Sequence, residues 1–255
     1  MATVVPQSTY ANQFVNSNHN GTMKQDYIEV MNAFSRDNVY VFDAAEILTE
    51  PIKNDEYVYF RTDMHWTPLG SYYVYKEMVE RAGLPAADYM TDYVHTTEEP
   101  FLGTYYRDNP TEYFENHADS LELLEPPFAH TLYRADGVDS FHEIPYLKQD
   151  AKKNDRYTVY LGGPAGPWTY VECDNGKEEN ALVLMDSFGL GYFTFLTQNY
   201  KQVHYYDPRY YDYDTVGYTV YEMIEKYNIR DIYVVIGDLH SFNSGFMFRD
   251  FIAGR

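Results

Sequence analysis

The stretch ALVLMDSFGLGYFTFLTQNY, residues 181–200, reads as strand, tight turn and helix. An apolar run of this length with no polar interruption suits a strand buried on both faces, and the glycine-bearing DSFGLG (186–191) suits a turn. Downstream, QVHYYD (202–207) reads as a second strand, VGYTVYEMIEKYN (216–228) as an amphipathic helix and DIYVVIGDL (231–239) as a third, continuously apolar strand. Strands alternating with helices predict a wound, largely parallel α/β sheet.

Upstream the alternation repeats. TVV (3–5) is a short strand, TMKQDYIEVMNAFS (22–35) a helix, NVYVFDAAEIL (38–48) a strand running into a loop, and EYVYFRT (56–62) another strand. Thr67 and Pro68 then open a helix over SYYVYKEMVERAG (71–83): threonine can cap free N–H groups, and proline loses nothing at the first helical position. Gly83 closes it before Pro85. Between about 88 and 170 the pattern breaks into short aromatic and acidic pieces with several prolines. This is expected to be an irregular or β-rich insertion in a single α/β domain covering 1–255, and a place for substrate contacts.

The 255 residues include 19 Lys+Arg, 39 Asp+Glu, 29 Tyr and one cysteine, with a formal net charge of −20. Such a charge repels a phosphate backbone, so a nucleic-acid partner is excluded. Cys173 can form no internal disulfide, and no Cys/His cluster has zinc-finger spacing. No run reaches the roughly 18 apolar residues of a membrane span, and the N-terminus carries no targeting segment. The tyrosines suit either a Tyr-rich core or a sugar-binding face.

Ser187, between the strand and the helix, would gain backbone N–H donors and the positive end of a helix dipole, both of which stabilise an oxyanion. Gly189 and Gly191 would let that backbone turn tightly; alternatively, Asp186 or Ser187 merely caps the helix. Asp63 and His65, in FRTDMHWTPLG (60–70), lie just before the capped helix. If that stretch is extended, residues two apart point the same way and the carboxylate can orient the imidazole that deprotonates a serine. A second Asp-x-His, Asp238 and His240, follows the strand IYVVIG and competes for the same role. Trp66, Tyr192, Tyr210 and Tyr211 flank these blocks and suit either sugar stacking or core packing. Arg209 suits an active site or a surface pair with Asp207 or Asp212. A divalent-metal site from Asp43, Asp63, His65, Asp186 and Asp207 is the weaker alternative, because their spacing is not compact and it leaves the serine idle.

FRTDMHWTPLG, followed by LVLMDSFG (182–189) and HYYDPRYYD (204–212), resembles the DHHW family of SGNH-type α/β proteins, similar to proteins that O-acetylate alginate and related polysaccharides. The resemblance implies an SGNH-like, flavodoxin-like parallel sheet flanked by helices. It assigns Asp63, His65 and Ser187 as a triad and matches Arg209 to an active-site arginine. Met64 stands where the family name has its first histidine, a position the triad does not use. Family members carry an N-terminal membrane anchor, so this chain is expected to be a domain lacking one, acting outside the cytoplasm or at the cell surface.

The implied chemistry is acyl, most simply acetyl, transfer or hydrolysis on a polysaccharide, without a cofactor or metal. His65 would be the general base, Asp63 its orienter and Ser187 the nucleophile, with the N–H of Ser187 and of Gly189, Gly162 or Gly163 holding the oxyanion. Arg209, Tyr192 and Trp66 would contact substrate. The acyl donor is open, and a membrane-bound acyl-transfer partner would fit. The rival class is an inactive carbohydrate-binding module of the same fold.

Overall fold

The computed structural model describes residues 1–8, 39–148, 153–163, 166–210 and 212–237. Among these, ten strands and eight α-helices are ordered as follows: β1 (Ala2–Val5), β2 (Val41–Asp43), α1 (Ala44–Ile47), α2 (Thr49–Lys53), α3 (Pro68–Arg81), β3 (Val94–Phe101), α4 (Thr104–Asp108), α5 (Glu112–Asn116), β4 (Asp119–Glu125), β5 (His130–Gly137), β6 (Ser140–Ile144), β7 (Thr169–Cys173), β8 (Asn180–Met185), α6 (Gly189–Leu196), β9 (Gln202–Tyr206), α7 (Tyr213–Val216), α8 (Val220–Lys226) and β10 (Ile229–Gly237). The central sheet runs β2-β1-β10-β8-β9-β7-β5-β6. Its first five strands pair in parallel, and β7, β5 and β6 extend it antiparallel. The result is a mixed α/β fold, a large sheet flanked by helices.

The apolar run of β8 sits between β10 and β9 with Ala181, Leu182, Val183 and Met185 at most 1% exposed, as expected for a strand covered on both faces. Helix α6 is buried along its whole length. Helix α3 opens as its sequence predicts, with the Thr67 hydroxyl accepting the Gly70 N–H and Pro68 at the first position. Its Val74, Tyr75, Met78 and Val79 are fully buried and pack toward α6, where the Tyr75 and Phe195 rings lie 5.3 Å apart. Each such side chain contributes roughly 1.5–3 kcal/mol of burial.

Several expectations are corrected. The 56–62 segment forms no strand; its ladder is a single bridge between Tyr59 and Trp66, and much of its remaining hydrogen bonding goes to the Asp119 side chain. The 38–48 strand stops at Asp43, whose carboxylate accepts the N–H groups of Ala45 and Glu46 and starts α1. Asp43 is therefore a cap and not a metal ligand. The 216–228 helix begins only at Val220, after Gly217 in the left-handed region and a Thr219–Glu222 capping box. The 22–35 helix, Tyr211 and the rival pair Asp238 and His240 lie outside the described residues. Within 88–170, β5 and β6 join the main sheet while β3 and β4 pair separately.

The carboxyl ends of β1, β8, β9 and β10 converge at one rim of the sheet. Gln7, Met185–Ser187, Asp207 and Gly237, all at or just past those ends, line a common cavity. Open α/β sheets place ligands at this edge.

Candidate active site

Ser187 sits in the turn between β8 and α6, and the turn is held from three sides. The Asp186 carboxylate accepts the Phe188 N–H on one oxygen and the Gly237 N–H on the other, both at 2.9 Å, which ties the turn to the end of β10. A Cβ on Gly237 would come within 2.5 Å of the Phe188 ring, so only glycine permits this approach. From the other side the Trp66 indole N–H donates to the Phe188 carbonyl at 2.9 Å. No side chain caps α6, so neither Asp186 nor Ser187 is the cap.

His65 arrives from the loop before α3. Its Nε2 lies 2.8 Å from Ser187 Oγ and its Nδ1 lies 2.5 Å from Asp63 Oδ1. Asp63 also accepts the His65 N–H at 2.9 Å and, on its second oxygen, the Thr104 N–H at 2.7 Å. The Asp63 carboxylate thus accepts three hydrogen bonds while only 1% exposed. Burial alone would raise its pKa, but the charge of His65 and the three hydrogen bonds outweigh it and hold the group lowered to about 2. A Cβ on Gly103 would sit 2.3 Å from Asp63, so glycine is needed for the 103–104 backbone to reach the carboxylate.

The imidazole is clamped between rings. Tyr157 stacks on one face, with centroids 4.0 Å apart and planes 7° off parallel, and Phe188 lies at 4.7 Å, tilted by 50°. Beneath the loop, buried Asp119 accepts from the Thr62 N–H at 2.7 Å and from its hydroxyl at 2.6 Å, and from the Arg61 N–H at 3.1 Å. With one proton on Nδ1 facing Asp63, Nε2 is left to accept the Ser187 hydroxyl proton. The arrangement can therefore activate Ser187 as a nucleophile toward a carbonyl.

Ser187, His65, Met64, Thr104, Arg107, Tyr157, Asp207 and Arg209 line one cavity of about 340 Å³. Arg209 reaches it as a pair with Asp207, its Nε 2.9 Å from one carboxylate oxygen and its terminal nitrogen 2.5 Å from the other. Arg209 thus pairs with Asp207 and lines the cavity.

Other assignments need correction. Trp66 is 0% exposed and Tyr192 is 0% exposed with its hydroxyl on Met78 Sδ, so both are core residues and neither can stack on a sugar. Tyr210, 46% exposed, does line the cavity. The N–H of Gly162 donates to the Tyr146 carbonyl and that of Gly163 to the Tyr160 carbonyl, while Gly189 donates to the Asp186 carbonyl. None of these three is free to hold an oxyanion, whereas the Ser187 N–H donates to no described residue. Among the described residues, no three His, Cys, Asp or Glu side chains converge as a metal-binding group, and Asp63 and His65 are spent on each other. Thr104, Tyr157 and Asp119 were not visible in the sequence, since nothing in their spacing links them to His65.

The model of the DHHW protein family matches residues 9–206. The fold is similar to that of a DHHW family protein from Eubacterium siraeum, at 21% identity and a TM-score of 0.76 over 97% of this chain and 81% of that one. It is also similar to Bacillus cereus PatB1 carrying a sulfonyl adduct, at 22% identity and a TM-score of 0.71 over 97% and 84% of the two chains. The O-acetyltransferase domain of Pseudomonas putida AlgJ matches at 14% identity and a TM-score of 0.51, covering all of this chain and 82% of that one. No curated protein sequence matches.

Proposed function

This chain belongs to the DHHW family, and from that membership together with the site geometry we propose that it transfers or hydrolyses acetyl esters of a polysaccharide through an acyl-serine on Ser187. The observation that carries the reading is the line Asp63–His65–Ser187, with contacts of 2.5 and 2.8 Å, opening into a cavity at the carboxyl edge of the sheet. The likeness to an O-acetyltransferase domain supports the reaction class.

In this mechanism Nε2 of His65 removes the Ser187 proton as Oγ attacks the ester carbonyl, and Asp63 stabilises the imidazolium through Nδ1–H. The Ser187 N–H donates to the oxyanion of the tetrahedral intermediate. Collapse breaks the bond to the donor alcohol, which takes the proton from His65 and leaves acetyl on Oγ. A sugar hydroxyl, or water, then gives its proton to His65 and attacks the acyl carbon; Oγ leaves and takes that proton from His65, which restores both residues. A sugar acceptor makes the protein a transferase and water makes it an esterase. A polysaccharide substrate would place its action outside the cytoplasm or at the cell surface. Among the described residues no helix is long and apolar enough to cross a membrane.

The protein is expected to release nitrophenol from 4-nitrophenyl acetate, with Ser187→Ala slower by roughly a thousandfold or more, as when a covalent nucleophile is removed. Equal rates for the two proteins would leave a carbohydrate-binding module as the better account.

A further inference from the structure

A second depression, of about 730 Å³, lies across α4 from the catalytic cavity. The helix divides its side chains between the two. Thr104 and Arg107 face the cavity, and Tyr105 and Asp108, one position on, face the depression, as expected for residue pairs three apart on one helix. The wall between them is hydrogen-bonded: the Ser8 hydroxyl meets the Asp63 carbonyl and the Tyr105 hydroxyl, each at 3.0 Å, and the Tyr105 N–H donates to the Thr62 carbonyl at 3.0 Å. The two hollows are therefore built on the same rigid loop that carries His65.

The depression is lined by Tyr105, Tyr113 and Phe114, with Arg61, Asp108 and Asn109 among them. Tyr113 is 65% exposed and Arg61, Asp108 and Asn109 are exposed as well. Flat rings edged by planar polar groups suit the apolar face and the hydroxyls of a pyranose. The charged groups that line it are mixed, one arginine, Arg61, with the carboxylates of Asp108 and Glu56, so nothing there favours a polyanion. The catalytic cavity, at about 340 Å³, is near the small end of the roughly 300–1,000 Å³ range of ligand pockets. A polymeric acceptor must continue outside it.

We propose that this depression binds the neighbouring residues of a neutral oligosaccharide acceptor, with Tyr113 and Arg61 as its principal contacts. The inference rests on the carbohydrate reading above and adds where the chain lies and that it is uncharged. Contacts remote from the reacting ester of this kind supply binding energy that positions the acceptor.

Calorimetric titration of the whole chain with cellohexaose, xylohexaose, mannohexaose and an acidic hexauronate tests it. At least one neutral hexasaccharide should bind more tightly than the hexauronate. Tyr113→Ala and Arg61→Ala should each weaken that binding about tenfold or more, whereas Tyr221→Ala, exposed elsewhere on α8, should not change it. Binding of none of the neutral sugars, preference for the hexauronate, or unchanged affinity in Tyr113→Ala would overturn the proposal. The titration involves no turnover. A protein that binds a hexasaccharide through Tyr113 but forms no acyl-serine would keep this inference and lose the reaction proposed above.

Discussion

Tyr157 shows how a side chain can matter to a base it does not hydrogen-bond. A ring stacked at 4.0 Å and 7° limits the swing of the imidazole about its Cβ–Cγ bond, while Asp63 fixes only one of its edges. Orientation of this kind is where misplacement costs rate, since Nε2 must stay on the Ser187 hydroxyl throughout proton transfer. Tyr157→Phe, which keeps the stack, is expected to retain activity within about threefold, and Tyr157→Leu to lower kcat for 4-nitrophenyl acetate about tenfold with little change in KM. A loss carried wholly in KM would mean that Tyr157 contacts substrate instead. Ser187 was legible as a candidate because a strand–turn–helix announces itself locally, whereas spacing left His65 level with His240 and only the resemblance to the DHHW family chose between them. Thr104 and Tyr157 come from 40 and more positions away, through tertiary packing that leaves no local spacing signal.

The elements around the site are joined through Trp66. Its indole bonds the Phe188 carbonyl in the Ser187 turn, so one buried side chain sets the register between the segments that carry His65 and Ser187. Trp66→Phe leaves a buried carbonyl without its donor, which costs about 1–3 kcal/mol. Both thermal stability and small-ester turnover are expected to fall together in that variant, readable by denaturant titration and initial rates. Retention of full turnover would separate Trp66 from the catalytic geometry. The 56–62 segment misled because tyrosine, valine and phenylalanine are residues enriched in strands, whereas here the Asp119 side chain takes the N–H groups of Arg61 and Thr62. The antiparallel β5, β6 and β7 were illegible for a related reason. The burial of β5 and β6 does not alternate regularly, and β7, whose burial does alternate, takes its place from the edge of β9.

At the scale of the whole molecule, the buried face of the sheet makes stability depend on pH. His204 on β9 is fully buried, accepts the Trp168 indole N–H on Nδ1 at 3.0 Å, and packs against Tyr170 and Tyr227. Burial lowers its pKa to about 3, because a proton on Nδ1 would have to displace that bond inside the core. The unfolded chain takes up a proton near the usual histidine value of about 6.5 while the folded chain does not. Stability is therefore full above that pH and is lost as pH falls from there toward about 3. Asp63, held to about 2, adds a further loss from below about 4 down to that value. Between pH 7 and pH 5 the His204 contribution amounts to about 2 kcal/mol. Urea titrations at the two pH values should show that loss in the native protein and a smaller one in His204→Phe, whatever the stability of the variant at pH 7; equal losses would assign the acid sensitivity elsewhere.

All three scales serve one claim, that Ser187 carries the acyl group between donor and acceptor, and mass spectrometry of the intact protein after brief exposure to 4-nitrophenyl acetate and an acid quench tests it most directly. The same base serves acylation and deacylation, so a brief exposure catches the acyl-serine before water removes it. The prediction is a mass gain of one acetyl group, mapped by peptide fragmentation to Ser187 and missing from Ser187→Ala. An acetyl group found on another residue, or an unmodified protein that nonetheless turns the ester over, would contradict it.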